Sequence, residues 1–414
     1  MTSSVEQLVR QIHNASAQFV LVMTGGGSRA IADLLEVPGG SRVLIEAVVP
    51  YAEPAMIAWL GSRPDQFCAE ATARAMAVVA FGRARQYGAA DDRAAGVACT
   101  AGLAADRPKR GPHRAHVALQ TASRTISWSV ELTKGARTRA EEESVVASLI
   151  LNAMAEAGGR GGEGEKNIGN LGDETNKVAP DASDSLHTFH TLQTLLTFLP
   201  LLPPATSEHV ERSEVVAAAA WRELFLGQAE RVYHGPSGQP GDVAPRAILP
   251  GAFNPMHVGH RRMAQIGEEI LGEPVALELS ILNVDKPPLD YAEIKNRLSQ
   301  TPPGGVWLTR AATFEEKSRL FPGATFLVGA DTIARIASPR YYSGDPDAVI
   351  GILQRIASRG CRFLVFARHM GAGLVRLAEL ELPEVLRNIC REVPPERFRE
   401  DVSSTAIRKS HGAE

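Results

Sequence analysis

The sequence predicts two α/β domains, the second built on a parallel sheet covered by helices on both faces. Three observations carry this expectation. Residues 18–61 read as strand, glycine turn, helix, loop, strand and helix. Residues 246–367 alternate short, continuously apolar runs with amphipathic intervals, the pattern of strands buried on both faces. Between them, residues 157–185 turn abruptly to Gly, Asp, Glu and Asn, too poor in apolar side chains to offset the entropy of ordering them. The expected division is therefore a domain over 1–156, a flexible linker over 157–206 and a second domain over 207–414.

The opening MTSSVEQLVRQIHNAS contains Glu6 and no long apolar core, so it reads as a first amphipathic helix rather than a signal or transit peptide. After the 18–61 unit come a long helix near 67–87, a strand at 95–100, a hairpin at 115–133 and a helix over 138–156. Beyond the linker, Val210, Val215, Ala218, Trp221, Leu224 and Phe225 recur at near-helical spacing and predict a leading helix over 207–234. Strands are then expected near 246–250, 275–283, 306–310, 324–329 and 362–367. The intervals 260–271, 290–299, 331–337 and 346–359 carry polar residues around an apolar stripe and read as helices.

With 414 residues, 44% hydrophobic and 22% charged, the chain can bury substantial cores. A formal net charge of -3 supplies no general attraction to nucleic acid or an anionic membrane. The four cysteines, Cys68, Cys99, Cys361 and Cys390, are isolated, which suits a reducing cytoplasm better than a zinc site or a disulfide scaffold. The most apolar candidate span, LLTFLPLLPP at 195–204, is too short to cross a bilayer and ends in prolines. The chain is expected to engage neither nucleic acid nor membrane.

The stretch GAFNPMHVGH, 251–260, lies between a predicted strand and a predicted helix. In a parallel sheet, ligands bind beyond the carboxyl ends of strands. Gly251 permits close backbone approach there, Asn254 and Pro255 shape the turn, and the following helix presents free amides to an anion. His257 and His260 add directed donors for charge developing on a phosphate. A His-x-x-His pair taken alone is more often a surface or helix-capping pair; the strand-turn-helix setting favours the ligand. Near the end of the chain, Ser403, Ser404 or Thr405 can cap a helix from about Ala406, with Arg408 in its first turn, making a second terminus suited to phosphate.

Together these stretches resemble the nucleotidyltransferase superfamily, whose Gly-x-Phe-x-Pro-x-His-x-Gly-His and Ser-Ser-Thr-x-Ile-Arg signatures are matched by Gly251 to His260 and by Ser403 to Arg408. Residues 246–414 look most like the nicotinamide or nicotinate mononucleotide adenylyltransferases. The resemblance implies a Rossmann-like sheet of the His-x-Gly-His type. It makes His257, His260 and Arg408 catalytic, and Gly251, Ala252, Phe253, Gly329, Asp331, Ser403, Ser404 and Thr405 nucleotide-binding. LVGADT at 327–332 matches the family segment whose acid contacts the nucleotide, here Asp331. Where those enzymes commonly stack a Trp on the pyridine ring, this chain has Tyr341 and Tyr342; Lys286 stands in a loop similar to their substrate loop. The implied reaction moves AMP from ATP, accompanied by Mg²⁺, to a phosphorylated acceptor, with no metal ligand assigned to the protein.

Residues 1–156 resemble the C-terminal domain of the CinA family, which includes nicotinamide mononucleotide deamidases. The family's Ser-Cys-Thr-Gly-Gly turn is represented by Val22, Met23, Thr24, Gly25 and Gly26, so the serine hydroxyl is missing. Five positions after the tyrosine matched by Tyr51, Met56 replaces a lysine, and 100–108 has fewer glycines than the family's phosphate turn. Without hydroxyl and ammonium the expected nucleophile is absent, which predicts a catalytically silent domain. Thr24, Gly25, Gly26 and Tyr51 then mark a degenerate site that either still receives a phosphate on its amides or only forms a tight turn, in a domain expected to assemble homo-oligomers. Two broader alternatives stand beside the adenylyltransferase: a nucleotide-binding scaffold with two retired enzyme domains, and an adenylyl- or cytidylyltransferase acting on another phosphorylated acceptor.

Overall fold

The computed structural model describes residues 4–107, 110–159, 186–191, 208–235, 244–284, 286–302, 305–341, 344–370, 373–394 and 396–398. These fall into two compact units, one comprising Met1–Arg222 with Asp285–Glu293 and the other Glu223–Val284 with Ile294–Glu414. Both are α/β units, each built on a seven-stranded sheet.

The first unit runs α1 (Ser4–His13), β1 (Gln18–Thr24), α2 (Arg29–Glu36), β2 (Leu44–Val48), α3 (Glu53–Leu60), α4 (Glu70–Gln86), β3 (Ala94–Gly102), β4 (His113–Thr121), β5 (Arg124–Leu132) and α5 (Arg139–Gly159), then β6 (Leu186–Thr191) and β7 (His209–Val216). Its strand order is β2-β1-β3-β4-β5-β7-β6. β1 is parallel to both β2 and β3, and every later pairing is antiparallel. One core joins Leu8, Val9 and Ile12 of α1, Ala30 and Leu34 of α2, and Val146, Leu149 and Ile150 of α5 to Phe19, Leu21, Val97, Val117 and Trp128 of the sheet. Removing such side chains from water is the main stabilising contribution, roughly 1.5–3 kcal/mol for each large one.

Residues 286–293 are also held in this unit. Arg74 Nε donates to Asp290 Oδ2 at 3.1 Å. The fully buried Tyr291 donates its hydroxyl to Ala122 O at 2.7 Å, and its amide donates to Thr125 Oγ1 at 3.1 Å.

The second unit contains β8 (Arg231–His234), preceded by α6 (Ala219–Leu226), whose residues divide between the two units. Then follow β9 (Ala247–Pro250), α7 (Val258–Leu271), β10 (Val275–Ser280), α8 (Tyr291–Leu298), whose residues up to Glu293 belong to the first unit, β11 (Val306–Thr309), α9 (Phe314–Leu320), β12 (Thr325–Gly329), α10 (Ala330–Ile336), α11 (Pro346–Ser358), β13 (Arg362–Phe366), the short hairpin β14 (Arg368–Met370) and β15 (Gly373–Val375), α12 (Glu384–Asn388) and β16 (Cys390–Glu392). The order is β16-β13-β12-β9-β10-β11-β8, parallel except for the edge strand β8. Counted along the chain, the six parallel strands lie in the order 3-2-1-4-5-6, the Rossmann arrangement, with its switch point between β9 and β12. Phe326, Val328, Phe363 and Val365 pack with Ile333, Val349, Leu353 and Ile356 into one core.

The structure departs from expectation after the linker. Residues 209–216 form a strand of the first sheet rather than part of a leading helix, and 208–222 fall in the first unit rather than the second domain. The segment alternates in burial, but the inward positions include Arg212 and Glu214. Arg212 donates to Glu214 at 2.7 Å and also pairs with Glu156, while Arg124 reaches Glu214 at 3.2 Å. Charges satisfied by partners remote in sequence thus occupy places where a strand pattern calls for apolar residues. Of the expected linker, 157–159 complete α5 and 186–191 pair antiparallel with β7; 160–185 and 192–206 lie outside the described residues.

Candidate functional site

The Rossmann order makes the carboxyl ends of β9, β12 and β13 neighbours. The turn 251–257 leaves β9. Gly251 N donates to Glu278 O at 2.9 Å, continuing the pairing with β10. A Cβ on Gly251 would lie 2.4 Å from Phe253 Cε1, so only glycine fits beneath that ring. Phe253 is fully buried with φ of 45°, and the Asn254–Pro255 bond is cis. Arg297, 6% exposed on α8, donates from Nη1 to Ala252 O at 3.0 Å.

The two histidines meet at the start of α7, their ring centroids 3.9 Å apart. His257 is the N-cap: its Nδ1 accepts from Gly259 N at 3.2 Å, and His257 N donates to Nδ1 of His260 at 3.3 Å. The helix-capping reading of the pair is therefore correct as far as it goes. It employs only the Nδ1 atoms. An acceptor Nδ1 fixes the neutral tautomer with hydrogen on Nε2. In His257, 8% exposed, that Nε2 is buried and has no hydrogen-bond partner among the described residues. Burial, and then the charge of Arg368, hold the His257 pKa below the ordinary imidazole range, so the ring is a neutral donor near pH 7. The His260 and buried Phe253 rings meet edge to face, their centroids 5.3 Å apart.

From the next strand, Gly329 caps α10 and Asp331 stands in its first turn. Asp331 pairs with Arg335 at 3.2 Å and approaches Arg368 Nε at 4.0 Å. Arg368, 24% exposed in its side chain, follows β13. Histidines, carboxylate and guanidinium thus occupy the ends of three adjacent strands in one unit.

Of the residues expected at this site, Gly251, Ala252, Phe253, His257, His260, Gly329 and Asp331 are gathered in the second unit. Lys286 is exposed and belongs to the 286–293 segment of the first unit. Tyr341 ends a 3-10 turn over Pro339–Tyr341, but its side chain, Tyr342, and Ser403, Ser404, Thr405 and Arg408 lie outside the described residues. Sequence reasoning missed Arg368 and Arg297. Arg368 carried a usable signal, being the first charged residue beyond the apolar run FLVFA. Arg297 carries no local signal that separates it from Lys295 in the same helix turn.

The glycine turn of the first unit is constructed differently. Gly25 has φ of 76°, and a Cβ there would fall 1.9 Å from Ala101 O. The turn is tight because β3 backs directly onto it. A carboxylate from α5 meets the residues that follow the turn: Glu143 Oε1 accepts from Ser28 Oγ at 2.8 Å and from Arg29 N at 3.3 Å. Burial raises the Glu143 pKa, but bonds from Ser28, Gly27 and Arg29 outweigh it and leave the group below the usual carboxylate range. Arg139 donates to Gly25 O at 2.9 Å. Glu142, fully buried, bonds His113 Nδ1 at 2.6 Å and Ala104 N at 2.7 Å. Of the resemblance positions, Val22 and Met56 are buried while Tyr51 is 69% exposed.

Among the described residues no helix is long and apolar enough to cross a membrane. No family model matches the chain, and no curated protein matches it. Among solved structures, the competence/damage-inducible protein CihA from Agrobacterium tumefaciens is similar at 20% identity over 37% of this chain and 96% of its own, with a TM-score of 0.32. A competence-damaged (CinA) superfamily protein from Klebsiella pneumoniae is similar at 17% identity over 37% and 95%, with a TM-score of 0.30. One from Escherichia coli is similar at 14% over 37% and 87%, with a TM-score of 0.29. These likenesses fall in the N-terminal part of the chain and leave the unit that carries the histidine turn unaddressed.

Proposed function

We propose that the second unit is a nucleotidyltransferase that moves AMP from ATP to a phosphorylated acceptor, with nicotinamide or nicotinate mononucleotide the favoured acceptor. The observation that supports this most directly is the double use of His257. Its Nδ1 is committed to the helix start and its Nε2 is buried without a partner. An unpaired buried polar atom costs about 1–3 kcal/mol, a cost that a phosphate oxygen at the switch point would remove. In the proposed reaction an acceptor phosphate oxygen attacks the α-phosphorus of ATP. The bond to the β-phosphate breaks, and pyrophosphate leaves with the electron pair. Such chemistry needs alignment and charge stabilisation rather than a covalent nucleophile.

His257 and His260 would meet the developing charge, Arg368 would add a fixed cation, and Asp331 would accept a hydroxyl or ring N–H of the nucleotide. Mg²⁺ entering with ATP would be held by phosphate oxygens and water, and would neutralise part of the triphosphate charge. The first unit, its glycine turn engaged by Glu143, would serve assembly rather than amide hydrolysis; light scattering of the full chain tests whether it forms an oligomer. The transferase test is pyrophosphate release from ATP with a panel of acceptors, among them both pyridine mononucleotides and phosphopantetheine, and with CTP as the alternative donor. Nucleotide binding without turnover on any acceptor would instead support a scaffold.

A further inference from the structure

We propose that Arg297 is a positioning residue that aims a backbone donor of the histidine turn at a polyphosphate; this rests on the transferase reading of the same site. Arg297 is 6% exposed, and its Nη1 hydrogen bond to Ala252 O joins residues 45 apart in sequence. In a trans peptide the carbonyl and the following N–H point in opposite directions. Holding the Ala252 carbonyl toward Arg297 therefore turns the Phe253 N–H away from it, on the far side of the peptide. Among the described residues no hydrogen bond is made by that amide.

Two further contacts keep the peptide from rotating. The Phe253 ring is fully buried beneath Gly251 and packs edge to face with His260. Its φ of 45° lies in the left-handed region, which a non-glycine residue adopts only where its surroundings impose it. Arginine cannot lose its proton in a protein, so the carbonyl is polarised at every working pH. That polarisation strengthens the N–H of the same peptide as a donor. The recognised chemistry is an anionic phosphate oxygen, as in a nucleoside triphosphate, met by an oriented amide backed by a buried positive charge.

The test uses the full chain, with Arg297→Lys and Arg297→Met, and inorganic tripolyphosphate as the binding probe. Circular dichroism and thermal unfolding verify folding, and hydrogen exchange reads the amides of the turn. Arg297→Lys keeps the charge but loses the rigid fork. It is expected to stay folded, to weaken tripolyphosphate binding by about 10-fold and to speed exchange across 251–257. In the transfer assay KM for ATP should rise with it, while KM for the acceptor changes little. Arg297→Met should lose more than the lysine variant, so that lysine amounts to partial rescue; if the methionine variant fails to fold, the lysine variant decides. A folded lysine variant with unchanged tripolyphosphate affinity overturns the proposal, as does a wild-type protein that binds no tripolyphosphate. If wild type binds the probe and Arg297→Lys weakens it, but no acceptor is adenylylated, the positioning role stands and the transferase reading falls.

Discussion

Arg368 Nε lies 4.0 Å from Oδ1 of Asp331, and the same guanidinium adds to burial in holding down the pKa of His257. One cation thus joins the groups that follow β9, β12 and β13, although the three residues are widely separated along the chain. Arg368→Met should release His257 from that repulsion. The His257 pKa, read from its ring proton shifts, is expected to rise toward the unperturbed value near 6.5. ATP affinity should fall by about 10- to 100-fold, the range of a lost charged hydrogen bond. An unchanged histidine titration would refute the electrostatic link.

The capping and catalytic duties of the histidines can be separated by substitution. Asn at 257 offers a side-chain oxygen to the helix amides but no Nε2, so His257→Asn should retain most of the cap, whose loss costs about 1 kcal/mol. Turnover should drop roughly 10²-fold or more, as should that of His260→Ala, with the fold intact. Thermal midpoints measured beside pyrophosphate release check this. Equal turnover in wild type and both variants would remove the histidines from the reaction.

Glu143 stands where an anion would sit at the start of α2. Truncating it in Glu143→Ala removes the acceptor of the exposed Ser28 hydroxyl and Arg29 amide at a helix start, where water can replace it, and should cost about 1 kcal/mol in urea unfolding. Introducing Val22→Ser and Met56→Lys together should not produce amide hydrolysis of nicotinamide mononucleotide while Glu143 is present, because the carboxylate repels the phosphate. Ammonia release by that double variant would show that the turn is open after all.

Acid should destabilise the first unit through its buried imidazoles. Burial lowers the His116 pKa to about 4, with Arg114 and Arg74 adding to the effect and Glu70 opposing it. Burial also lowers the pKa of His13. A histidine whose folded pKa lies below its unfolded value near 6.5 binds fewer protons folded than unfolded between those two pH values. Stability is therefore complete above the unfolded pKa and is lost as pH falls from about 6.5 toward 4. Urea midpoints at pH 7.5 and 5 should show the fall, and His116→Gln should reduce it. A steeper fall in that variant would contradict the sign.

Much of the second unit was legible because its strands are short, apolar and bounded by turn residues. The strand expected at 246–250 is Ala247–Pro250, that at 362–367 is Arg362–Phe366, and the helix expected at 346–359 is Pro346–Ser358. The histidine turn was legible as well, since glycine, proline and cap residues act within a few positions of one another. The β7 strand was not: Arg212 and Glu214 occupy inward positions, and their partners Arg124 and Glu156 lie on β5 and α5. A window along the chain registers charge there and cannot register its neutralisation.

What the sequence by itself determined is the local grammar: alternating strands and helices, a glycine and proline turn after β9 with two imidazoles at its helix, and a first domain lacking the hydroxyl and ammonium of the family it resembles. Only the tertiary structure decided which atoms of those imidazoles are already spent on the helix, that Arg368 and Arg297 attend the turn, and that Glu143 closes the other one. The division has a physical cause. Backbone propensity and capping depend on neighbours a few residues away, whereas hydrogen bonds and ion pairs between remote side chains exist only after the sheet order has brought strand ends together.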